Sequence, residues 1–250
     1  MNPKPYLREI SLKSERIADF TRYPFSLPVV RQLGTLRFHP DVTFLAGENG
    51  SGKSTLLEAI AVALGFNPEG GSRSFSFTTR PSHSELHSHL RVVRSFRKPA
   101  DGFFLRAESF FNVATEIERL DSDCSLGVPI VNAYGGHSLH EQSHGESFWA
   151  LVMKRFRGKG LYILDEPEAA LSPKRQLILL RRIHELVEQQ SQFIIATHSP
   201  ILLAYPQSAI FVLNEQGLTS TPYECTEHFK TMRAFIANPE EHLRQLLSGK

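Results

Sequence analysis

The sequence predicts an α/β fold built on a mainly parallel β-sheet, with an N-terminal antiparallel β lobe and a short helical subdomain. Apolar residues make up 41% of the 250 positions, which is enough for a sizeable core. Strand and helix patterns alternate from 160 to 214, as they do in parallel sheets with crossover helices. An apolar run at 42–47 also leads through a glycine-rich loop into a helical pattern.

The first forty residues predict the antiparallel lobe. Apolar and polar positions alternate at 6–14 and 28–38, and prolines stand at 24, 28 and 40. Such alternation is typical of strands that bury one face. We therefore expect short antiparallel strands in this region.

The other elements are predicted from apolar spacing. Helices are expected where apolar residues recur every three or four positions: 54–66, 84–96, 143–156, 172–190, and two in the tail at 227–247, divided at Pro239. Buried strands are expected at the apolar runs: 42–47, 101–109, 160–166, 192–198 and 209–214.

We expect residues 1–250 to form one domain, because 250 residues suit one large α/β domain. The sequence contains no internal repeat and no sustained heptads. Its expected parts are consecutive: an N-terminal β lobe (1–46), the glycine-rich loop with its helix (47–66), a helical lobe (67–158), a strand-rich core (159–215) and C-terminal helices (216–250).

Charge and cysteine content narrow the class of protein. Lys and Arg number 28 against 26 for Asp and Glu, a net charge of +2 that does not indicate nucleic-acid binding. Cys124 and Cys225 provide neither a disulfide framework nor a zinc site. No apolar signal segment or membrane span is present in the sequence. We therefore expect a soluble cytoplasmic protein without membrane insertion.

The segment GENGSGKST matches the phosphate-binding loop (P-loop) pattern G-x-x-x-x-G-K-[ST] in full. Its backbone N–H groups can turn toward phosphate oxygens, and the following helix adds its positive dipole end. Lys53 supplies a cation for the β- and γ-phosphates, and Ser54 supplies a hydroxyl for Mg²⁺. A chance glycine-rich loop is the alternative, which the flanking strand and helix disfavour. The predicted nucleotide-binding residues here are Gly47, Asn49, Gly50, Ser51, Gly52, Lys53, Ser54 and Thr55.

Two acidic residues end the predicted strand at 160–166. The carboxyl ends of parallel strands form the ligand-binding edge of such sheets. Asp165 is therefore a predicted Mg²⁺ ligand, and Glu166 is predicted to orient and polarise the attacking water. Simple capping of the strand is the alternative. Glu168 receives no role from the sequence.

Two further segments complete the predicted site. His198 follows the next buried strand, so it is expected at the same sheet edge, where it can bond the γ-phosphate and the attacking water. A structural histidine before a proline turn is the alternative. In SHGESF, Ser143 and Glu146 form the capping-box pattern S-x-x-E before an apolar helix.

Taken in order, the P-loop, the segment at 143–147, the acidic strand and His198 resemble the ATP-binding cassette (ABC) ATPases. DEPEAALSP is similar to the soluble branch that contains RecF, SMC-type and OLD-like ATPases, and the whole chain resembles small stand-alone bacterial ATPases of that branch. The resemblance implies a P-loop NTPase fold with an ABC-type head. It also implies hydrolysis of ATP with Mg²⁺ by an ATP-dependent homodimer.

The resemblance also assigns residues outside the P-loop. Ser143 and Gly145 correspond to the helix start that binds the γ-phosphate held by the opposite subunit. Glu108 corresponds to a metal-contacting glutamine, with Asn112 as the alternative. The family's Leu-Ser-Gly-Gly-Gln appears here as QSHGES, so this part of the pattern is degenerate.

Three functions remain open from the sequence. The first is an ATPase linked to DNA repair or phage defence, with DNA and an operon-encoded effector as candidate partners. The second is the nucleotide-binding subunit of a membrane transporter, and the third an ATP-gated binding module with slow hydrolysis. The basic segments 91–98 and 154–160 suit nucleic-acid contact or a solvated face. Tyr23 and Phe25 are candidates for adenine stacking or for packing.

Overall fold

The computed structural model describes residues 4–73, 84–106 and 144–248, together with Thr115, Glu118, Arg119, Asp121 and Asn132. The strands are, in chain order, β1 (Leu7–Leu12), β2 (Thr35–Arg37), β3 (Val42–Gly47), β4 (Leu90–Arg94), β5 (Asp101–Arg106), β6 (Gly160–Asp165), β7 (Gln192–Ala196), β8 (Ala209–Asn214) and β9 (Gly217–Ser220). The α-helices are α1 (Pro28–Arg31), α2 (Lys53–Ala63), α3 (His144–Ala150), α4 (Pro173–Glu188), α5 (Pro200–Leu203), α6 (Glu227–Ala237) and α7 (Pro239–Leu247).

The central sheet has six strands in the order β5-β6-β7-β3-β8-β9. Its first five strands are parallel, and only the short β9 runs antiparallel, against β8. In this register Asp165 lies opposite Ala196, which in turn lies opposite Leu45. Strands β3, β6 and β7 therefore end at one edge of the sheet. The predicted α/β fold with a mainly parallel sheet is confirmed.

Helices cover both faces of this sheet, which explains why β3, β6 and β7 are buried at every position. Side chains alternate along β6: Tyr162 and Leu164 belong to the core on the α4 side, which also holds Leu179. Leu161 and Ile163 belong to the core on the α2 side. The continuous apolar runs of the sequence are thus strands buried on both faces.

The antiparallel lobe is a three-stranded sheet in the order β2-β1-β4, and it packs on the same core as α2. The sequence predicted this lobe, but one segment predicted as a strand differs in the structure. Residues 28–31 form helix α1 instead of a strand. Pro28 stands at the first helical position, where its missing N–H costs nothing, and Val29 and Val30 are fully buried.

The amphipathic helix predicted at 84–96 is also wrong. A 3₁₀ turn spans Glu85–His89, and β4 follows and pairs with β1. Leu86 and Leu90, whose spacing suggested a helix, are both buried, one from the turn and one from the strand. Pairing with β1 satisfies the backbone of β4, and the β-branched pair Val92–Val93 suits a strand.

The amino end of the central sheet is held by buried polar groups. Gln192 is fully buried; its side chain accepts from Leu7 N at 2.9 Å and donates to Leu7 O at 2.9 Å and His39 O at 3.0 Å. Tyr162 Oη donates to Asp101 Oδ2 at 2.8 Å, and Arg155 Nη1 pairs with the same carboxylate at 2.8 Å. Burial, reinforced by the Asp101 charge, raises the pKa of Tyr162. These bonds fasten β1, β5, β6 and β7 to one another.

The predicted tail of two helices is present as α6 and α7, which meet at Asn238–Pro239. Asn238 caps α7 by accepting from Glu241 N at 3.3 Å, and Pro239 takes the first helical position. Among the described residues, none of the helices combines the length and the hydrophobicity that crossing a membrane requires.

Candidate functional site

The P-loop forms the turn between β3 and α2, at the carboxyl edge of the central sheet. Two of its glycines are required by their surroundings. Gly47 has a φ of 148°, and a Cβ there would meet Leu213 O at 2.6 Å. Gly52 has a φ of 92°, and a Cβ there would meet Val29 Cγ1 at 2.7 Å. Helix α1 thus supports the loop from behind, and its Val29 leaves room for glycine only.

Lys53 begins α2, and its side chain folds back into the loop. Its Nζ donates to Gly47 O and Glu48 O, both at 2.8 Å. Burial lowers the pKa of the Lys53 ammonium. The carboxylates of Glu166, Asp165 and Glu168 act in the opposite direction. The loop therefore holds a buried cation, the charge that phosphate binding requires, beside several carboxylates.

Ser54 and Asp165 are brought together although 111 positions separate them. Ser54 Oγ donates to Asp165 Oδ1 at 3.0 Å, and the Asp165 side chain is buried. A hydroxyl and a carboxylate oxygen in this relation are the donor types that P-loop proteins offer to Mg²⁺. The two residues fit a magnesium ion by the chemistry of their oxygens.

A residue that the sequence did not suggest lies beside Asp165. Arg106, the last residue of β5, places Nε 3.8 Å from Asp165 Oδ2 and donates from Nη1 to Glu58 Oε2 at 2.6 Å. Glu58 is buried on α2 and also accepts from Ser84 N at 3.2 Å. Arg106 thus ties the acidic strand end to the helix that follows the P-loop.

Glu166 and His198 face each other at the same edge. His198 Nε2 lies 3.5 Å from Glu166 Oε1, without forming a hydrogen bond, and this nitrogen is buried. Glu166 has left-handed backbone angles, φ 49° and ψ 53°, and its N–H donates to Ala196 O at 2.9 Å. That conformation turns the chain sharply after β6.

Glu168, which the sequence left without a role, orients the His198 segment. Its Oε1 accepts a hydrogen bond from His198 N at 2.6 Å. On the other side of the segment, Ser199 Oγ donates to Gln176 Oε1 at 2.6 Å, and Gln176 is anchored to Leu171 O at 3.1 Å. The turn after β6 and the turn after β7 are therefore coupled by direct hydrogen bonds. No spacing rule links Glu168 to His198, so the sequence alone gave no signal.

Tyr23 stands over the entrance to the P-loop. It is 64% exposed, and its Oη lies 3.2 Å from Thr55 Oγ1. A groove runs between it and Glu166, lined by Tyr23, Leu27, Asn49, Gly50, Gly52, Lys53, Ser54, Thr55 and Glu166. Phe25 is buried instead and meets His89 edge to face, with ring centroids 4.8 Å apart. Of the two candidate adenine-stacking aromatics, only Tyr23 is accessible from this groove.

Other residues of interest from the sequence fall elsewhere. His87 and His89 place Nδ1 near backbone carbonyls of their own turn, at 3.0 Å from Ser84 O and 3.2 Å from Glu85 O. Gly145 is the second residue of α3. Some predicted site residues lie outside the described part of the chain: Glu108, Asn112 and Ser143.

Two family models match the chain. One, described as an AAA domain, covers residues 25–119. The other, described as an AAA domain, putative AbiEii toxin, Type IV TA system, covers residues 139–204. The first contains the P-loop and the second contains Asp165, Glu166 and His198.

Two proteins with similar sequences point the same way. An uncharacterized ABC transporter ATP-binding protein of Haemophilus influenzae is 27% identical over 186 residues, which cover 69% of each chain. The cobalt import ATP-binding protein CbiO of Salmonella typhimurium is 25% identical over 221 residues, covering 80% of this chain and 79% of the relative.

Two solved structures are similar to this chain over most of its length. A putative metal-chelate type ABC transporter matches with a TM-score of 0.45 and 19% identity, over 80% of this chain and 79% of the other. The SMC head domain of Thermotoga maritima matches with a TM-score of 0.43 and 15% identity, over 87% and 100%.

The matched segments and the geometry agree. Both AAA-domain models fall on the elements that carry the site, and together they span more than half of the chain. The P-loop, the acidic end of β6 and the histidine after β7 stand at one edge of a mainly parallel sheet. The matches and the geometry together indicate a P-loop ATP-binding protein that carries AAA-domain segments and is similar to the ATP-binding proteins of ABC systems.

Proposed function

We propose that this protein hydrolyses ATP to ADP and phosphate, with Mg²⁺, as an ATP-dependent homodimer in the cytoplasm. The observation that carries the proposal is the convergence of five side chains from three loops. Ser54 bonds Asp165 at 3.0 Å, and His198 lies 3.5 Å from Glu166, all beside the buried Lys53. Such convergence of a cation, a metal-type ligand pair, a base and a histidine matches phosphoryl-transfer chemistry.

The P-loop binds the phosphates in this proposal. Backbone N–H groups between Gly47 and Thr55 surround the phosphate oxygens, and the first turn of α2 adds its dipole. Lys53 exchanges its two carbonyl contacts for phosphate oxygens, which relieves the burial of its charge. Tyr23, exposed beside Thr55, stacks on the adenine ring.

Ser54 and Asp165 hold the magnesium ion, and we assign Glu108 as a further metal contact from the family resemblance. When bound, the ion neutralises charge on the β- and γ-phosphates. Asp165 is well suited because it is buried and already bonded to Ser54, so little ordering remains to be done.

Glu166 acts on the attacking water. Its carboxylate orients the water and accepts a proton as the oxygen bonds to the γ-phosphorus, while the bond to the ADP oxygen breaks. His198 binds the γ-phosphate. Glu168 keeps His198 in place through the hydrogen bond to its backbone N–H.

Dimerisation would complete each site. We assign Ser143, which precedes α3 in the sequence, and Gly145, the second residue of α3, to the γ-phosphate held by the partner subunit. A helix start that presents N–H groups and a hydroxyl is suited to bind an anion. ATP would then join two subunits, and hydrolysis would separate them.

For the cellular role, we propose only a broad class, namely defence or DNA repair. One matching family model carries the description of a putative AbiEii toxin of a type IV TA system, which supports a defence role with an operon-encoded effector. DNA is a candidate partner through exposed residues beside β4, where Arg97 lies over the ring of Phe96 at 5.5 Å. The basic segment 154–160 is less available, because Arg155 is paired with Asp101.

A second function, the nucleotide-binding subunit of a transporter, is supported by the names of the relatives alone. Co-purification with a membrane protein would favour it.

The test is the steady-state ATPase rate with Mg²⁺, with and without duplex DNA, together with the mass in solution in ATP and in ADP. Lys53→Ala is the control, since it removes the phosphate cation and should abolish nucleotide binding. Turnover that persists in Lys53→Ala would show that the measured activity does not come from this site, and a purified parent without turnover would contradict the proposal. Stimulation by DNA that falls with salt would support the link to DNA.

The dimer is tested separately. Glu166→Gln should accumulate an ATP-bound dimer in light scattering, and adding Ser143→Arg should prevent it while each subunit still binds ATP. Arginine is a poor N-cap, so a loss of about 1 kcal/mol in helix stability is expected, and melting must show a folded monomer. A folded double variant that still dimerises would exclude Ser143 from the interface.

A further inference from the structure

Buried polar atoms without partners cluster at the nucleotide edge. In the described part of the chain, five buried side-chain atoms make no hydrogen bond: Ser51 Oγ, Ser84 Oγ, Glu168 Oε2, His198 Nε2 and His228 Nδ1. Ser51 lies in the P-loop, and Glu168 and His198 flank the proposed reaction centre. Buried polar atoms are normally satisfied, so a cluster of exceptions at a binding site indicates groups that pair with a ligand.

His228 is the member of this cluster that neither the sequence nor the proposed mechanism uses. It is the second residue of α6, in the C-terminal tail. Its ring lies 5.8 Å from the ring of His198, centroid to centroid. The two imidazoles thus stand side by side, each with one buried nitrogen that makes no hydrogen bond.

The start of α6 is firmly placed against the His198 segment. Thr226, which is 1% exposed, caps the helix by accepting from Phe229 N at 3.3 Å. Tyr223 Oη donates to Pro200 O at 2.9 Å, and its ring packs on Phe229 with centroids 4.7 Å apart. Pro200 follows His198 by two residues, so the tail and the histidine segment form one packed unit.

His228 is half-buried near two other basic groups, His198 and Lys53. Burial lowers the pKa of the His228 imidazole, and the positive charges of His198 and Lys53 lower it further. Glu227 and Glu48 oppose this effect only in part. An anion that contacts His228 would favour the protonated imidazole and offset the cost of burying it.

We infer that His228 binds the terminal phosphate of ATP alongside His198, so that the C-terminal tail contacts the nucleotide directly. The inference rests on the proposed function, since it takes the anion to be the γ-phosphate. It adds a nucleotide contact from α6, which lies beyond both matched family segments. The tail would then distinguish ATP from ADP.

The test compares two nucleotides. Calorimetry with Mg²⁺ measures binding of ADP and of the β,γ-imido analogue of ATP, which retains a terminal phosphate and is not hydrolysed. His228→Ala should weaken the analogue about 10-fold, the loss expected for one hydrogen bond to a charged group. ADP binding should not change. His228→Gln retains a donor and should recover part of the loss.

His242→Ala is the matched control. His242 lies in the same tail, on α7, and is exposed to solvent. This variant should bind both nucleotides as the parent does. Melting curves check that the His228 variants remain folded, and a His228→Ala protein that unfolds leaves the comparison to His228→Gln.

A second experiment separates direct contact from support of His198. In a His198→Ala background, His228→Ala should still weaken the imido analogue several-fold. No further loss there would mean that His228 acts only through His198 and would overturn the direct contact. An unchanged ratio of analogue to ADP affinity in His228→Ala would overturn the inference while leaving the proposed function intact. A parent protein that binds neither nucleotide would overturn both.

Discussion

The two ends of the central sheet use polar residues in opposite ways. At the amino end, the Lys4 ammonium donates to Asp41, to Val187 O at 3.1 Å and to Ser191 O at 3.3 Å. The amide of Gln192 is likewise committed to backbone groups of Leu7 and His39. The hydrogen bonds of these side chains therefore go to other groups of the protein and stabilise the fold.

At the carboxyl end, the hydrogen bonds are left incomplete. Ser51, Glu168, His198 and His228 each carry a buried atom without a partner among the described residues. An unsatisfied buried polar group costs about 1–3 kcal/mol, so this edge is less stable than its packing would allow. The comparison indicates that the amino end provides stability while the carboxyl end is kept ready for a ligand.

The largest expected effect is on turnover, at the carboxyl end. Glu166→Gln should lower the ATPase rate by about 100-fold or more, since an amide cannot accept the proton of the attacking water. ATP affinity should stay within a few-fold of the parent, and the free energy of unfolding should not fall. Rate measurements at saturating ATP check this. A rate close to that of the parent would assign the role of base to another residue.

The second prediction concerns the amino end, where a substitution should lower stability and leave ATP binding unchanged. Gln192→Leu removes the partners of Leu7 N, Leu7 O and His39 O and should cost about 3 kcal/mol of unfolding free energy. The variant, once folded, should bind ATP normally. Guanidinium unfolding measures the loss, and Gln245→Leu, in the exposed tail, serves as the control with little expected effect. A large fall in ATP affinity would contradict the view that the amino end serves stability and the carboxyl end serves binding.

A smaller effect is expected from the residue that positions His198. Glu168→Ala leaves the His198 N–H without its acceptor, so the histidine should be less well ordered. We expect a fall of about 10-fold in turnover, comparable to the loss of one charged hydrogen bond. Glu168→Gln keeps an acceptor oxygen and should be milder. Equal rates for the two variants would argue that the charge of Glu168, and not its hydrogen bond, matters.

The smallest effect concerns pH and the amino end. Burial lowers the pKa of His39 below its usual 6.5, and its Nδ1 accepts from Asp41 N at 3.1 Å. The unfolded chain therefore binds the proton more readily, and stability present above pH 6.5 should be lost as the pH falls through the folded pKa. Between pH 7 and pH 5, the free energy of unfolding should fall less steeply in His39→Asn than in the parent. An identical decline in both proteins would place the acid sensitivity elsewhere.

The local parts of this molecule were predictable from sequence, and the long-range parts were not. The P-loop is a contiguous pattern whose spacing enforces its own geometry, and the apolar run before Asp165 marks a buried strand directly. The segment 84–96 was misjudged because Leu86 and Leu90 satisfy a helical period, while pairing with β1 decided the outcome. The roles of Glu168 and His228 depend on neighbours 30 positions away, and no local period encodes such contacts.

At Glu166, the residue that serves catalysis is not the residue that gives the most stable backbone. Its left-handed conformation, φ 49° and ψ 53°, costs a side chain with an ordinary Cβ about 1 kcal/mol or more. Asparagine tolerates the same angles better. A mutant library selected only for survival at high temperature would therefore be expected to enrich Glu166→Asn and to lose catalysis with it. Selection in the laboratory would have to reward both properties at once to keep glutamate at this turn.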